Sequence, residues 1–433
     1  MTETNDLSIK QTVTNMLKLQ DEGRRSTLIG IGPMSPNLLE ATFELGRDYD
    51  FPLMFIASRN QVDKDDLGGG YVNGWNQETF TRDIKAVADK TGFKGLYYVC
   101  RDHGGPWQRD EERNAHLPVD EAMAKAKESY LSDIENGFDL LMIDPTKNPY
   151  EMGKVIDMDK NLKWTFELIQ YCENERKKRG LPEIGYEVGT EETNGGLTTT
   201  DRYETFVQKL KAKLDENGLP MPTFIVGQTG TLTRLGEQVG HWNLKNTLEL
   251  TAMAKKYGVG LKEHNADYLS DYQLLLHNPA NITASNVAPQ YGTAETEAYV
   301  TLYNVEQRLH KDGLVDDPSN LKPVLIDRAV RTERWRKWME GDDVNLKVED
   351  VLANDKLKEE ILHLGGHYAF NNPDVKKEIA KMTKNLEANY IDVHGFVIES
   401  IKRPIRQYIQ SLNLTGLTTA VREMGKEVFT ENK

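Results

Sequence analysis

The sequence lacks the features that mark several protein classes. It has only two cysteines in 433 residues, Cys100 and Cys172, so no disulfide framework is available to hold a small secreted fold. No apolar stretch approaches the ~20 residues that a membrane span needs. The first residues, MTETNDLSIKQTV, are acidic and polar and lack the apolar core of a signal peptide. These absences predict a cytoplasmic protein without a membrane partner.

Positive charge is also scarce. The chain has 54 Lys and Arg against 68 Asp and Glu, which gives a formal net charge of -14. Because binding to nucleic acid needs a basic surface, nucleic acid is excluded as the main partner. A hydrophobic content of 38% with 28% charged residues is typical of a soluble globular protein. The length leaves room for one large domain and a smaller one.

What the sequence does have is a regular alternation of strand and helix patterns. The predicted strands are 26–32, 51–58, 95–100, 138–144, 183–189, 222–227, 258–264 and 281–287, and a helix pattern follows each of them. The helices after the last two strands are predicted at 267–277 and 294–310. Alternation of this kind indicates parallel strands. A doubly wound open sheet gives similar local signals. The count of eight units and the polar residues at many strand ends favour a (β/α)8 TIM barrel.

The pattern changes after the eighth unit. Residues 311–323, KDGLVDDPSNLKP, are typical of a linker, and the remainder has almost no strand signal. Helices are predicted at 324–339, 348–363, 373–388 and 397–411. We therefore predict two parts, a barrel with an N-terminal helix over 1–312 and a helical C-terminal extension over 313–433 that packs on the barrel.

The active site of such a barrel lies at the C-terminal ends of its strands. Polar side chains follow every predicted strand, from distant parts of the chain. We predict catalytic roles for Asp102, Asp144 and Glu187. The residues predicted to bind substrate are Ser35, Arg59, Asn60, Gln61, Asn286 and Tyr291.

Two histidines and an acid at different strand ends form a possible metal set. His103, Glu191 and His264 offer two imidazoles and a carboxylate, and Gln228 adds an oxygen. Imidazole with a carboxylate suits zinc with an open position, so zinc is the first choice. Manganese is the alternative because the ligands are mixed nitrogen and oxygen. The alternative to metal binding is that each histidine is a hydrogen-bonded surface residue at the end of its strand.

The stretch RDHGGPW, residues 101–107, places Asp102 directly before His103. Neighbours in a strand point to opposite faces, so both can face the site only if the strand ends there and the chain turns. Two glycines and a proline make such a turn plausible. Asp102 is then a candidate general base beside a metal-bound substrate. The alternative role of Asp102 is that of a helix or turn cap.

Three further segments have two interpretations each. The glycine run 65–75 is either a mobile loop over the substrate or an ordinary connection. The start of the helix in 287–295 either offers backbone amides to a phosphate or is a simple helix cap. HLGGHYAF, residues 363–370, interrupts the helical extension, either as a plain break or where the chain dips toward the barrel mouth.

With these residues in view, the chain resembles the non-catalytic subunit family of class II D-tagatose-bisphosphate aldolase and the related tagaturonate and fructose 4-epimerases. The matching stretches occur in the family's order between residues 27 and 311. They are 58–71, 86–93, 101–107, 137–145, 186–191, 263–268 and 284–295. The glycine loop is longer than the family pattern, and Gly-Gly-Pro-Trp follows the Asp-His pair where a leucine is expected, which leaves the substrate open.

The resemblance implies a barrel of the class II aldolase type, with Asp102 as acid or base and His103 as a metal ligand. It places the family's acid on Glu191 and its late histidine on His264. It favours a metal-dependent enzyme that inverts C4 of a ketose or ketose phosphate by retro-aldol chemistry. The alternatives are a non-catalytic subunit that stabilises a class II aldolase and an aldose-ketose isomerase. The implied partners are a sugar or sugar phosphate and either another copy of the chain or a catalytic aldolase subunit.

Overall fold

Eight parallel strands close into a barrel in the part of the chain that this computed structural model describes, residues 5–151, 154–192, 194–234, 236–339 and 345–431. The strands are β1 Leu28–Ile31, β2 Leu53–Ala57, β3 Tyr97–Gly104, β4 Leu140–Ile143, β5 Gly185–Gly189, β6 Phe224–Val226, β7 Thr233–Arg234, β8 Glu237–Gln238, β9 Gly260–Glu263 and β10 Ala284–Val287. In barrel order they run β1, β10, β9, β6, β5, β4, β3, β2. The antiparallel pair β7–β8 lies outside the barrel.

Helices connect the strands and continue into the C-terminal extension. They are α1 Ile9–Asp21, α2 Pro36–Tyr49, α3 Gln77–Thr91, α4 Asp110–Asn114, α5 Val119–Glu135, α6 Met158–Lys178, α7 Thr200–Glu216, α8 Leu244–Lys256, α9 Asp271–Ala280, α10 Pro289–Lys311, α11 Leu321–Arg331, α12 Val348–Ala353, α13 Asp355–Gly365, α14 Pro373–Glu387, α15 Val393–Ser411 and α16 Leu417–Glu431. Short 3-10 turns occupy Asp65–Leu67, Arg334–Trp338 and Gly366–Ala369. No described helix has the length and apolar character to cross a bilayer.

The barrel prediction is confirmed, because each predicted strand coincides with a strand of the closed sheet. The strands are buried on both faces, as in β2, whose five residues are all inaccessible. A parallel strand covered by helices on one side and by the barrel core on the other reads as a continuous apolar run. That run is the pattern on which the prediction rested.

Several boundaries differ from the prediction for local reasons. Helix α10 starts at Pro289 rather than 294, because proline suits the first helical position. Helix α9 starts at Asp271 rather than 267, because the Ser270 side chain caps it. The helix predicted at 324–339 is broken near Glu333, which adopts a left-handed φ of 53°. Helix α16 and the β7–β8 hairpin were not predicted from the sequence.

The extension packs along one side of the barrel. Helix α15 lies against α2 and α10, α16 lies against α1, and α11, α13 and α14 pack near α10. The hydroxyl of Tyr408 on α15 donates to the carbonyl of Ala266, 2.8 Å away, just beyond β9. A continuous apolar core joins the barrel to the extension. The division of the chain at residue 312 stays a prediction.

A buried acid links the first and last barrel helices. Ser35 caps α2 and its Oγ donates to Oε2 of Glu295 on α10 at 2.5 Å. Asn37 Nδ2 donates to the other carboxylate oxygen at 2.8 Å. Burial raises the pKa of Glu295 to about 7, although the hydrogen bonds from Ser35 and Asn37 favour the anion.

Replacing this acid with its amide, Glu295→Gln, is expected to flatten the dependence of stability on pH. The unfolded chain ionises near the ordinary pKa of 4.5 and the folded chain near 7, so the wild-type protein loses stability as pH rises between these values. The loss is about 2–3 kcal/mol, and the variant lacks it. Urea unfolding at pH 5 and pH 8 measures the difference.

The matched control is Glu297→Gln, an exposed position on the same helix. It is expected to leave the pH dependence of unfolding as in the wild-type protein. An equal loss of stability from pH 5 to pH 8 in Glu295→Gln and the wild type would show that this carboxyl is not the group responsible.

Candidate active site

The site begins at an irregularity at the end of β3. The pairing of β3 with β4 shifts register between Arg101 and Gly104, and His103 has a left-handed φ of 43°. A Cβ on Gly104 would lie 2.6 Å from the carbonyl oxygen of Met142 on β4, so only glycine allows this approach. The irregularity lets two consecutive residues, Asp102 and His103, both face the barrel mouth.

Asp102 and His103 meet His264, which follows β9. The three side chains offer one ligand atom each, and these atoms lie within 4.8 Å of one another. The Asp102 carboxylate lies 3.8 Å from His264 Nε2 and 3.9 Å from His103 Nε2. The two imidazole rings stand edge to face with centroids 4.9 Å apart. Among the described residues, this is the cluster that could hold a metal ion.

A carboxylate from β4 orients the first imidazole. Asp144 Oδ2 lies 2.8 Å from His103 Nδ1, and Thr146 donates to the other oxygen of Asp144 at 2.5 Å. Burial lowers the pKa of His103, but the charges of Asp102 and Asp144 outweigh it and raise the value to about 9. Burial raises the pKa of Asp144, yet the hydrogen bonds from His103 and Thr146 bring it below its ordinary value. Asp144, predicted to be catalytic, therefore contacts His103 of the cluster directly.

A second carboxylate, from β5, orients the other imidazole. Glu187 Oε1 lies 2.9 Å from His264 Nε2, and Lys262 Nζ on β9 donates to Glu187 Oε2 at 2.5 Å. Glu187 and Lys262 are fully buried. Burial raises the pKa of Glu187, but Lys262 and His264 outweigh it and hold the pKa below its ordinary value. Lys262 was not predicted, although a lysine within an otherwise apolar strand pattern, GVGLKEH, was a visible signal.

The remaining predicted metal ligands have other partners. Glu191 accepts a hydrogen bond from Thr198 at 2.6 Å and forms an ion pair with Arg202 at 3.2 Å. Gln228 Oε1 accepts from the backbone amide of Asn194 at 2.8 Å. Glu191 lines a small cavity beside His103 and His264, outside the three-residue cluster. Metal ligation by Glu191 and Gln228 stays a prediction.

Three of the predicted substrate contacts line the mouth cavity of the barrel, namely Asn60, Gln61 and Asn286. Asn286 Nδ2 also donates to Asp102 Oδ1 at 3.0 Å, which fixes the carboxylate. Gly30 on β1 makes room for this amide, because a Cβ there would lie 2.2 Å from Asn286 Oδ1.

The other three predicted substrate contacts lie outside the lining of this cavity. Arg59 is fully buried and pairs with Asp63 and Glu112. Ser35 caps α2, and Tyr291 is inaccessible and packs edge to face with Tyr408. Their contact with substrate stays a prediction, and the structure gives each a packing or capping partner.

The mouth is partly covered by the glycine loop and the extension. Tyr71 from the loop and Trp338, His367 and Tyr368 from the extension line the cavity. The Tyr71 ring meets the Tyr368 ring edge to face, with centroids 5.1 Å apart. The segment 363–370 therefore does dip toward the barrel mouth. Its aromatic residues were not among the predicted site residues, because only the packing of the extension brings them there.

The buried ion pair behind His264 generates a stability prediction. Glu187→Gln leaves the Lys262 ammonium buried without an opposite charge, which is expected to cost about 3–5 kcal/mol. Adding Lys262→Met removes that charge, so the double variant is expected to be more stable than Glu187→Gln alone. Urea unfolding of the wild type, both single variants and the double variant gives the coupling between the two residues.

An exposed pair supplies the control. Lys10 and Glu183 lie 2.7 Å apart with side chains about half exposed, and Glu183→Gln is expected to change stability by less than about 1 kcal/mol. A double variant that is no more stable than Glu187→Gln would contradict the assignment of Lys262 as the charge partner.

Comparison with known proteins agrees with this architecture. The family model for D-tagatose-1,6-bisphosphate aldolase subunit GatZ/KbaZ-like proteins matches residues 13–412. A structure described as a probable tagatose 6 phosphate kinase from Sinorhizobium meliloti 1021 superposes with a TM-score of 0.71 at 19% identity, over 89% of this chain and 100% of that one. Fructose-bisphosphate aldolase from Campylobacter jejuni superposes with a TM-score of 0.56 at 11% identity, over 95% and 96% of the two chains. At these identities the structures show a shared fold, the closed barrel of parallel strands surrounded by helices.

Proposed function

Because this chain belongs to the GatZ/KbaZ-like family of D-tagatose-1,6-bisphosphate aldolase subunits, we propose that it is an enzyme that breaks and re-forms the C3–C4 bond of a ketose or ketose phosphate, with inversion at C4 as the net reaction. One observation carries the proposal. A carboxylate, Asp102, lies within 4 Å of two imidazoles that are themselves held by buried carboxylates, at the mouth of an aldolase-type barrel.

The fold family implies a divalent metal, and the residues present fit one. His103 and His264 provide two imidazole nitrogens, and Glu191, which lines the adjoining cavity, is the predicted carboxylate ligand; such a donor set suits zinc or manganese. His264 is nearly inaccessible, and its Nδ1 has no hydrogen-bond partner in the described part of the chain. A divalent cation in this cluster supplies Lewis-acid polarisation of the sugar carbonyl. Zinc remains the first choice.

Asp102 is the proposed base. It takes the proton from the C4 hydroxyl, the C3–C4 bond breaks with its electron pair left on C3, and C4 becomes an aldehyde. After the aldehyde turns over, C3 attacks its other face and Asp102 returns the proton to the C4 oxygen. Asn286 holds the carboxylate in place through its 3.0 Å hydrogen bond. Atoms and electrons balance without an oxidant or reductant.

Asp144 and Glu187 are positioning residues in this scheme. Each accepts a hydrogen bond from one imidazole of the cluster and fixes the ring orientation. The aromatic cover has a separate role, because an epimerase must retain the aldehyde fragment until the bond re-forms. Tyr71, Trp338 and Tyr368 supply apolar surface over the mouth that keeps water out.

The variant Asp102→Asn tests the base. It is expected to lower the rate of C4 epimerisation by about 10²–10⁴-fold, with metal content and thermal unfolding unchanged, because Asn keeps the shape and the hydrogen bond from Asn286. The assay follows the C4 epimer formed from a panel of ketoses and ketose phosphates with Zn²⁺ or Mn²⁺. In deuterated solvent no label is expected at C1, whereas an aldose-ketose isomerase would introduce it.

The control is Asp312→Asn, a partly exposed carboxylate at the C-terminal end of α10. It is expected to turn over at the wild-type rate. Substantial activity in Asp102→Asn would remove this residue from the role of base.

Metal content tests the cluster independently of turnover. The purified wild-type chain is expected to hold roughly one divalent ion that resists dialysis and is removed by chelators. His264→Ala is expected to lose it, and His116→Ala, at an exposed position outside the cluster, is expected to keep it. Full occupancy in His264→Ala, measured by elemental analysis, would take His264 off the ligand set.

A second candidate function is favoured by the family description, which is that of an aldolase subunit. In that case the chain stabilises a separate catalytic aldolase and has no turnover of its own. Absence of metal together with co-purification of a second, catalytic subunit would support this alternative over the enzyme. Cytoplasmic location is part of both proposals.

A further inference from the structure

The N-terminus of α10 lies at the barrel mouth, where a barrel of this type usually binds phosphate. A helix start attracts phosphate because its first backbone amides are unpaired. Here those amides already have acceptors. The carboxylate oxygen Oδ1 of Asp267 accepts from the amides of Ala288 at 3.0 Å and Gln290 at 2.9 Å. Pro289 between them has no amide hydrogen, and the Tyr291 amide donates to the carbonyl of Ala288 at 3.1 Å.

Asp267 is held firmly in this position. Its side chain is nearly inaccessible, and the preceding residue, Ala266, donates its amide to the carbonyl of Asn286 at 3.0 Å. The Ala266 carbonyl in turn accepts from Tyr408 of the extension at 2.8 Å. The chain therefore places its own carboxylate where a phosphate would otherwise sit.

The described lining of the mouth cavity has no lysine or arginine to hold a phosphate, and it includes two acids, Asp102 and Asp267. Its other polar groups are amides, hydroxyls and histidines. The aromatic rings of Tyr71, Trp338 and Tyr368 suit the C–H faces of a sugar rather than a dianion.

A lysine does line the smaller neighbouring cavity, which shares His103 and His264 with the mouth. Lys147 is paired there with Glu192, and Asp144 and Glu191 line the same cavity. Its described side chains therefore carry more negative than positive charge. Neither cavity provides the arginine or lysine clamp by which proteins usually hold a phosphate.

We infer that the end of the sugar that reaches α10 carries a hydroxyl and no phosphate, so that the site takes a ketose or a monophosphate with its phosphate at the far end, and rejects a ketose bisphosphate. The inference rests on the proposed function for the ketose itself. The rejection of phosphate follows from the contacts of Asp267 with the α10 amides and from the described cavity lining, and it can be measured as binding whether or not turnover occurs.

The test compares binding of a free ketose and its 1,6-bisphosphate to the full-length, metal-supplemented protein by calorimetry. The bisphosphate is expected to bind wild-type protein at least about tenfold more weakly than the ketose. In Asp267→Ala, which removes the carboxylate and frees two amides, its affinity is expected to rise about tenfold or more. The ketose affinity is expected to change less than about threefold.

Asp267→Asn is the matched control. The Asn side-chain oxygen still accepts from both amides but carries no negative charge. The variant is therefore expected to reject the bisphosphate nearly as the wild type does, because the two amides remain occupied. If Asp267→Ala does not fold, the affinities of the wild type and of Asp267→Asn for the ketose and for its bisphosphate still test the inference. Bisphosphate binding to the wild type as tight as, or tighter than, that of the ketose overturns the inference.

Binding of inorganic phosphate to the wild type and to Asp267→Ala tests this inference independently of the proposed function. If the ketose binds without being turned over, the proposed function fails and the exclusion of phosphate stands. If no sugar binds at all, phosphate binding to Asp267→Ala and not to the wild type still supports the exclusion. Equal phosphate binding by the two proteins overturns it.

Discussion

The hydrogen bonds that two imidazoles donate to two buried carboxylates are the constraint on which the site depends. Asp144 contacts His103 at Nδ1 and Glu187 contacts His264 at Nε2, so each ring is fixed by one buried carboxylate. A buried carboxylate needs a compensating charge, and for Glu187 the fully buried Lys262 provides it. These partners come from β4, β5 and β9, so the geometry of the site is set by closure of the barrel.

The backbone at the end of β3 supplies the second requirement. A regular strand would turn Asp102 and His103 to opposite faces, whereas the register shift before Gly104 brings both to the mouth. The shift is possible because Gly104 and Gly105 pass close to backbone oxygens of Met142 and Asp144. The glycines after the Asp-His pair are therefore explained by close packing of β3 on β4 as much as by a turn.

The sequence predicts part of this arrangement. The strands, and Asp102, His103 and His264 at their ends, could be predicted because alternation of strands and helices fixes which end of each strand carries the site. Lys262 and Asp267 could not be assigned partners, because their contacts join segments separated by 20 to 75 residues. Arg59 was predicted as a site residue because it directly follows a strand, but its side chain is buried and forms ion pairs with Asp63 and Glu112. Trp338 and Tyr368 reach the mouth only through the packing of the extension.

The extension and Asp267 together decide what kind of chemistry the mouth can host. An aldolase that releases its products needs an open mouth through which they can leave. It also benefits from tight binding of the substrate phosphate, because binding energy from such remote groups lowers the barrier to cleavage. Here the α10 amides are occupied, and aromatic side chains from the glycine loop and the extension narrow the entrance. In the proposed reaction such a site would hold the sugar by enclosure rather than by its charge. Enclosure would retain the cleaved aldehyde, which is the condition that distinguishes inversion at C4 from net cleavage.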